Sequence, residues 1–272
     1  MIRFGLLLLI LGMCGCEASQ QKKTKVLRLA VTTSTRDSGL LETILPAFEE
    51  QHHARVEVLG VGTGAALKLG EAGDVDVILC HARDQELAFL EAGHGVRHEP
   101  VMKNSFVVLG PSSDPAGIKR CSAAEGLALI QKSKQPFVSR GDQSGTHQRE
   151  LQIWQCAETD LQPWSQYFET GQGMGSSLVI ADQKQAYILS DFGTYLKFKS
   201  KVDLVPLIRS GEQLENPYGV LVVNSEKDYG IDAELGNLFV DYLISSETQT
   251  AIEEYRVGGE VLFHPAHTDP AK

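Results

Sequence analysis

Short apolar segments rich in β-branched residues alternate with amphipathic segments along most of the chain. VLRLAVTTS, at residues 26–34, predicts a strand, and SGLLETILPAFEEQHH, at residues 38–53, follows with apolar residues at helical spacing. We predict Asp37 or Ser38 as the N-cap of this helix. The next segments predict a strand, a helix and a strand in ARVEVLGVG, TGAALKLGEAG and DVDVILC. Strands that alternate with helices form parallel sheets with crossover helices, so the chain is predicted to be α/β.

The alternation restarts after a strand-like segment, NSFVVLGPSSDP, at residues 104–115. The second stretch contains the segments EGLALIQKS, PFVSR, SGTHQRELQIWQCAE and SSLVIADQKQAYILSD. NPYGVLVVN, at residues 216–224, predicts a further strand. A helical pattern over residues 233–257 follows, with an interruption near Ser245 and Ser246.

Two α/β stretches and a C-terminal helical return predict a two-lobed protein with mixed sheets flanked by helices. We place the chain crossings between the lobes near residues 104–110 and 214–222, where a strand is flanked by turn signals. Lobe 1 then comprises residues 27–107 and 220–272, and lobe 2 comprises residues 108–219. A single large doubly wound domain is the alternative, because 272 residues are enough for either arrangement.

The N-terminal residues have the pattern of a secretory signal peptide. Arg3 precedes an apolar run from Phe4 to Met13, which is too short to span a bilayer comfortably. We predict a signal peptide at residues 1–15 and a tether at residues 16–26. Export to the periplasm or the cell surface is therefore expected.

Cys16 follows Gly15 and is similar to the acylated cysteine of bacterial lipoproteins. Met13 and Cys14 replace the aliphatic and small residues that are usual at those places. We expect lipidation at Cys16 to anchor the exported protein, and a free soluble protein is the alternative.

Charge and cysteine content narrow the classes of partner. The formal net charge is −10, which disfavours nucleic acid, because phosphate backbones need surfaces rich in Lys and Arg. Besides Cys16, three cysteines follow the predicted signal peptide, and none of them forms a pair at metal-ligand spacing. Cys80 ends the apolar run VDVILC and is predicted to be a buried strand thiol. A disulfide between Cys121 and Cys156 is an open alternative to free thiols.

Three junctions between a strand and a helix combine hydroxyl residues with glycine: TTSTRDSG (32–39), GVGTGAA (60–66) and SRGDQSGTH (139–147). In open α/β sheets, ligands bind at the carboxyl ends of strands. A helix start offers unpaired N–H groups, glycine permits close approach to the backbone, and hydroxyl groups add donors. Ser and Thr are also ordinary N-caps, which accounts for any single junction better than for all three.

The charge that these junctions supply suits a small anion. Three helix starts contribute roughly 1.5 positive charges, and Arg140 adds another, so about 2.5 positive charges would face a ligand. GVGTGAA has no lysine after its last glycine and is therefore no P-loop. The junctions predict a site for a small dianion.

Five segments of the chain resemble those of a known family. LRLAVTTSTRDSGLLETILPAFEE, VGTGAALKLGEAGDVDVILCHAR, VSRGDQSGTH, PWSQYFETGQGMGSSLVIADQKQAYILSDFGTY and NPYGVLVVN are similar to segments of the TupA-like tungstate-binding proteins of bacterial ABC importers, in the same order from about residue 27 to about residue 264. The resemblance implies a type II periplasmic binding-protein fold with the oxyanion in a cleft between the lobes. The ligand-binding residues that it implies are Thr33, Ser34, Thr63, Arg140, Ser144, Gly145 and Thr146.

The resemblance also implies a partner, an ABC permease in the membrane, and a bound ligand instead of a reaction. We expect a monomer that binds tungstate as an oxyanion, with no cofactor, no metal ion held by the protein itself and no catalytic residue. Molybdate or phosphate is the alternative ligand, since RGDQSGT also resembles a loop of phosphate-binding proteins. A hydrolase that uses Ser144 and His147 is the alternative class, although the sequence identifies no residue to orient the histidine.

Asp142 is unexpected in a loop that attracts negative charge. Tungstate is fully deprotonated at neutral pH and offers no proton to a carboxylate. We therefore predict that Asp142 turns away from the ligand and fixes Arg140 by a charge-assisted hydrogen bond. A helix-capping Asp without a ligand role is the alternative.

Several other residues have two interpretations. The segment HAR (81–83) follows a strand end and belongs to the cleft or to its rim. The segment GQGMGSS (171–177) is a further wall of the site, or a lid or hinge loop. Trp154, Trp164 and Tyr167 are predicted to lie in the core or at the rim instead of stacking on a ligand.

Overall fold

The predicted alternation of strands and helices is present in the structure. This computed structural model describes residues 24–157, 161, 163–227 and 230–267. The predicted signal peptide and Cys16 lie outside these residues. The helices are α1 (Thr33–Ser38), α2 (Leu40–His52), α3 (Thr63–Ala72), α4 (Arg83–Glu91), α5 (Ala123–Lys132), α6 (Gly145–Cys156), α7 (Met174–Gln183), α8 (Phe192–Phe198), α9 (Ala233–Ile244) and α10 (Ser246–Glu254). Two 3₁₀ helices cover Glu212–Leu214 and Ser225–Lys227.

Most of the strands belong to one hydrogen-bonded path. The strands are β1 (Lys25–Thr32), β2 (Ala54–Val61), β3 (Val77–Cys80), β4 (Gly95–Gly110), β5 (Phe137–Ser139), β6 (Tyr167–Glu169), β7 (Tyr187–Asp191), β8 (Val205–Ile208), β9 (Glu215–Val223), β10 (Arg256–Val257), β11 (Glu260–Val261) and β12 (His264–Pro265). Neighbours on the path run β2-β1-β3-β9-β4-β7-β5-β6, and β8 and β12 also pair with β4. Parallel pairs such as β1–β2 and β5–β7 coexist with antiparallel pairs such as β3–β9, which confirms a mixed α/β fold.

Strand β4 joins two halves of this sheet. It pairs with β9 as far as Ser105, opposite Glu215, and with β7 from Phe106, opposite Asp191. We call β1, β2, β3, β9 and β4 up to Ser105 the first half, and β4 from Phe106 with β5, β6, β7 and β8 the second half. Helices α1 to α4, α9 and α10 accompany the first half, and α5 to α8 accompany the second, so the chain passes between halves within β4 and near the start of β9.

The predicted N-cap of the helical segment at residues 38–53, Asp37 or Ser38, is wrong. Residues Thr33–Ser38 form the separate helix α1, and α2 begins at Leu40 with Gly39 as its N-cap, at φ 90°. The cause is a tertiary contact: the Tyr255 hydroxyl donates to the Ser38 carbonyl at 2.7 Å, and a Cβ on Gly39 would lie 2.6 Å from that hydroxyl. Glycine accommodates both the left-handed backbone and the close approach.

Other local predictions agree with the structure. The long C-terminal helical pattern is interrupted between α9 and α10, near Ser245 and Ser246 as predicted. Ser245 is the N-cap of α10. Trp154 and Trp164 are buried in a hydrophobic cluster of the second half, which confirms a core role. Strand β4 begins at Gly95, ahead of its predicted start, because the polar segment before residue 104 carries no clear strand pattern.

The three cysteines in the described part of the chain are free thiols. Cys80 is buried in β3, as predicted, whereas the half-buried Cys121 and the exposed Cys156 are both free thiols, so the alternative of a disulfide between them is not realised. Within the residues that the structure covers, no helix has both the length and the apolar character that crossing a membrane requires.

Candidate oxyanion site

A cleft of about 960 Å³ lies where the two halves of the sheet meet. Its wall contains the first residues of α1, α3 and α4 from the first half, and of α6, α7 and α8 from the second half. Each of these helices follows the carboxyl end of a strand, from β1, β2 and β3 on one side and β5, β6 and β7 on the other. Six helix starts therefore present unpaired N–H groups and partial positive charge to one space.

All seven residues predicted to bind the ligand line this cleft. Thr33, Ser34 and Thr63 belong to the first half, and Arg140, Ser144, Gly145 and Thr146 belong to the second. The sequence pattern indicated three of the six junctions. The starts of α4 and α7, near HAR and GQGMGSS, had an open interpretation, and the start of α8 in DFGTY carried no recognised signal.

The hydroxyl groups at the first junction bond to one another. Thr32 Oγ1 lies 2.7 Å from Thr35 Oγ1 and 3.3 Å from Ser34 Oγ. Thr32 and Thr35 are buried, Ser34 is half-buried and Thr33 is exposed. The buried pair therefore supports a turn whose outer hydroxyl groups, on Thr33 and Ser34, border the cleft.

Arg140 is held from two directions at the edge of the cleft. Its Nε donates to the Gln172 carbonyl at 3.3 Å, and its Nη2 donates to Asp142 Oδ2. Asp142 Oδ1 accepts from the backbone N–H of Ser144 at 3.1 Å, and Asp142 is not among the cleft-lining residues. One carboxylate thus links the guanidinium to the start of α6.

The surroundings keep Asp142 ionised. Burial alone would raise the pKa of its carboxyl, but hydrogen bonds from Ser144 and the charge and donor of Arg140 outweigh burial and hold the pKa below its ordinary value. Glycine shapes the same loop, because Gly141 has φ 61° and a Cβ there would lie 2.9 Å from Cβ of Glu169. The loop therefore holds the Arg140 guanidinium in a fixed position beside the cleft.

Ser144 and His147 do not pair through their side chains. Ser144 is the N-cap of α6, and its Oγ accepts from the backbone N–H of His147 at 3.4 Å. The Nδ1 of His147 accepts from the backbone N–H of Gln143 at 3.1 Å, and the residue is buried. Both contacts stabilise the loop, and they occupy the atoms that a nucleophile and its base would use.

A buried polar network forms the floor of the cleft. Asn216 Nδ2 donates to Asn104 Oδ1 at 2.8 Å, and Asn104 Nδ2 donates to the Tyr218 hydroxyl at 3.1 Å. Asn104 and Asn216 pair directly across β4 and β9, where the chain passes between the halves, and both line the cleft. The sequence analysis missed these residues, because an isolated Asn in a strand segment carries no local signal of a ligand.

His81 stands between this floor and the start of α6. Its ring centroid lies 4.8 Å from that of Tyr218, and a Cβ on Gly145 would lie 3.2 Å from its Cε1. His81 comes from the first half and Gly145 from the second, so the halves touch here. Burial lowers the pKa of His81, against the opposing influence of Glu86, Asp191 and Asn216.

We expect Gly145→Ala to weaken oxyanion binding by about 1 kcal/mol, because the added methyl group would crowd His81 and narrow the cleft. Gly145 has no positive φ, so the backbone tolerates alanine. Isothermal titration calorimetry measures the change in affinity, and thermal unfolding measures any change in stability. Gly236→Ala on α9 is a matched control, because a Cβ there would also lie 3.2 Å from a side chain, that of Val222, but outside the cleft. Equal affinities of both variants would show that the contact with His81 does not limit binding.

The cleft is more cationic than the protein as a whole. Its lining contains Arg83, Arg140, Arg149 and Lys197 against the carboxylates Asp37, Asp84 and Asp191. Two of these carboxylates have partners of their own: Asp37 accepts from Arg36 Nε at 2.8 Å, and Asp191 accepts from the backbone N–H of Thr194 at 2.8 Å. The six helix starts add to this balance, whereas the chain carries a net charge of −10. No group of three or more His, Cys, Asp and Glu among the described residues is arranged to hold a metal ion.

Comparisons with known proteins agree with this geometry. A family model described as a PBP superfamily domain matches residues 18–247. The tungstate-binding protein TupA of Peptoclostridium acidaminophilum is 38% identical over 273 residues, which covers 95% of this chain and 95% of that protein.

Two solved structures are also similar. The tungstate-binding protein TupA from Desulfovibrio alaskensis G20 has a TM-score of 0.86 and 37% identity, with 90% of this chain and 100% of that chain covered. The tungstate ABC transporter structure from Geobacter sulfurreducens has a TM-score of 0.76 and 46% identity, with 85% and 98% covered. These matches confirm the resemblance and the fold that the sequence predicted: the chain belongs to the PBP superfamily and, within it, to the family of TupA tungstate-binding proteins.

Proposed function

We propose that this protein binds tungstate in the cleft between its two halves and delivers it unchanged to the membrane permease of an ABC importer. The observation that carries the proposal is the convergence of six helix starts and Arg140 on one cleft from both halves. Preorganised N–H and hydroxyl donors of this kind stabilise an oxyanion without covalent chemistry. The family of the chain supports tungstate over other oxyanions.

Calorimetric titration of the ligand-free protein with tungstate, molybdate, sulfate and phosphate tests the proposal. We expect the tightest binding for tungstate. Tighter binding of phosphate or sulfate, or no binding of any of the four anions, would overturn it. Incubation with phosphoesters and acyl esters should produce no turnover, since Ser144 Oγ and the His147 ring are both engaged by backbone groups.

The proposal extends to export and anchoring. Residues 1–15 would be removed as a signal peptide, and Cys16 would carry a lipid. The predicted tether, which begins at residue 16, would then end where β1 begins at Lys25 and hold a monomeric binding protein outside the inner membrane. Replacement of Cys16 by alanine should then move the protein from the membrane fraction to the soluble exported fraction. Mass spectrometry of the mature N-terminus reads out the lipid directly.

The cleft should close further around the anion. Donors come from both halves, which we propose to act as two lobes. Apart from a few residues of β4 and β9, these lobes correspond to residues 27–107 with 220–272 and residues 108–219. An anion that contacts both lobes draws them together about the crossings in β4 and β9. Small-angle X-ray scattering should therefore give a smaller radius of gyration with saturating tungstate. Identical scattering profiles with and without the anion would indicate a rigid, preformed site.

We expect Asp142→Asn to weaken tungstate binding only modestly, by roughly 1 kcal/mol, because the carboxylate orients Arg140 and does not border the cleft. The same substitution should leave sulfate affinity no higher than before. Calorimetry with both anions measures the effect. A large gain in sulfate affinity would mean that the carboxylate faces the anion, and phosphate would then be the better candidate ligand.

A further inference from the structure

His81 lines the cleft but is not one of the donors at the helix starts. It follows β3 directly, and its ring lies between the Tyr218 ring, at 4.8 Å, and the Cα of Gly145 in the opposite half. The residue is half-buried and lines the cleft. Its imidazole therefore borders the same space as the start of α6.

Charged and titratable groups surround this ring from several elements. Glu86 on α4 and Asp191 at the end of β7 act on it at a distance, and Asn216 and Tyr218 on β9 form the floor beneath it. Glu86 is itself buried and accepts from the backbone N–H of Ala82 at 2.7 Å. The remaining charged side chains of the cleft are Asp37 on α1, Arg83 and Asp84 on α4, Arg140 and Arg149 beside and on α6, and Lys197 on α8.

Glu86 acts on His81 through its charge and also has hydrogen-bond partners of its own. His98 Nε2 lies 2.8 Å from Glu86 Oε2, and the Cys80 thiol donates to Oε1 at 3.3 Å. His98 is not among the residues that line the cleft. Two imidazoles therefore lie near the Glu86 carboxylate: that of His81 lines the cleft, and that of His98 does not.

We propose that His81 contacts the bound oxyanion and takes up a proton when the anion binds. This role of His81 rests on the proposed function: it names a further residue that contacts the anion and a proton that is taken up on binding. Without ligand, burial keeps His81 neutral, because burial lowers the pKa of its imidazole. A tungstate dianion beside the ring adds two negative charges, which favour the imidazolium and raise its pKa above that of the empty site.

The direction of the pH dependence follows from this difference. The bound state holds the proton more tightly than the empty state, so binding takes up protons at pH values between the two pKa values. Affinity for tungstate then falls as the pH rises through the higher of them, with a slope of at most about tenfold per pH unit for one proton. A neutral structural histidine that only packs on Tyr218 produces no such dependence.

Calorimetry with sodium tungstate in Bis-Tris, imidazole and Tris at one pH measures the proton directly, because these buffers differ in heat of ionisation and none carries an oxyanion group. We expect a fraction of a proton to be taken up per tungstate near neutral pH. His81→Gln should bind more weakly and take up markedly fewer protons. His98→Gln is the matched control, since its imidazole contacts Glu86 behind the cleft, and it should retain the uptake.

The outcomes separate the two proposals. Failure of the unchanged protein to bind tungstate overturns the proposed function, whereas tight binding with no proton uptake overturns only the role of His81. If proton uptake persists in His81→Gln and disappears in His98→Gln or in His147→Gln, another histidine takes up the proton. That result also overturns the role of His81. NMR titration of the His81 ring in the unchanged protein needs no variant: its pKa should rise with saturating tungstate, and an unchanged pKa contradicts the inference.

Discussion

Replacement of Arg140 by alanine should weaken tungstate binding by at least about 2 kcal/mol, the largest loss that we expect from any single residue of the cleft. Arg140 contributes a full charge and several donors, whereas Thr63 and Ser144 contribute neutral hydroxyl groups. Its side chain is 16% exposed, so its interaction with an anion is only partly screened by water. Thr63→Val and Ser144→Ala should each cost less, roughly 1–2 kcal/mol.

Part of the loss in Arg140→Ala would come from Asp142. Without the guanidinium, this carboxylate would lack its cationic partner beside an anion-binding cleft and would repel the dianion. Addition of Asp142→Asn to Arg140→Ala should therefore restore some affinity, although Asp142→Asn alone weakens binding. Such opposite signs in one double-mutant cycle measure the coupling of the pair.

Calorimetry and thermal unfolding together decide whether Arg140 binds the anion. Arg97→Ala is a suitable control, because Arg97 also forms ion pairs, with Glu99 and Asp241, but does not border the cleft. We expect its tungstate affinity to be unchanged. Near-normal affinity of Arg140→Ala would remove the residue from the site, and a lowered melting temperature with unchanged binding would indicate a purely structural role.

Glu150→Gln should stabilise the protein above neutral pH by up to about 3 kcal/mol. Glu150 is buried in the second half, where its Oε1 accepts from Trp154 Nε1 at 3.3 Å and from the Tyr167 hydroxyl at 3.1 Å. Burial raises its pKa to about 7, although these donors act in the opposite direction. Ionisation of this carboxyl is therefore costly in the folded protein, and glutamine keeps an acceptor oxygen without the charge.

The pH range of the effect follows from the raised pKa. The folded protein holds this proton more tightly than the unfolded chain, whose carboxyl has a pKa of about 4.3. The favourable contribution of Glu150 is therefore complete below that value and is lost as the pH rises to about 7. At pH 4 the unchanged protein and the variant should have similar free energies of unfolding.

Urea denaturation at pH 5 and pH 8 measures the predicted difference. The gap between Glu150→Gln and the unchanged protein should widen at pH 8, which isolates this carboxyl from the other titrating groups. Glu253→Gln, at an exposed position on α10, provides the control for loss of one negative charge. A gap that is equal at both pH values, or that also opens in Glu253→Gln, would contradict the raised pKa.

The sequence alone indicated the α/β class, the family and the seven residues Thr33, Ser34, Thr63, Arg140, Ser144, Gly145 and Thr146. The α/β class and the three junctions rest on local signals, since apolar periodicity, glycine and hydroxyl residues at a helix start act within a few residues of one another. The start of α3 at Thr63 and of α6 at Gly145 could be placed for this reason. The family and the seven residues rest on the resemblance of ordered segments to the TupA-like proteins. Local signals do not predict that these residues lie together at one cleft.

Tertiary structure decided where those junctions meet and what else surrounds them. The order β2-β1-β3-β9-β4-β7-β5-β6 brings the ends of β3 and β5 to the same space, although many residues separate them in the chain. His81 touches Gly145, and Asn104 pairs with Asn216, only because of that order. Likewise, Gly39 separates α1 from α2, a break that the local pattern did not predict, because Tyr255 of a distant segment contacts this turn. Short-range periodicity carries no information about such contacts, whose partners are fixed by strand pairing and by the packing of side chains far apart in sequence.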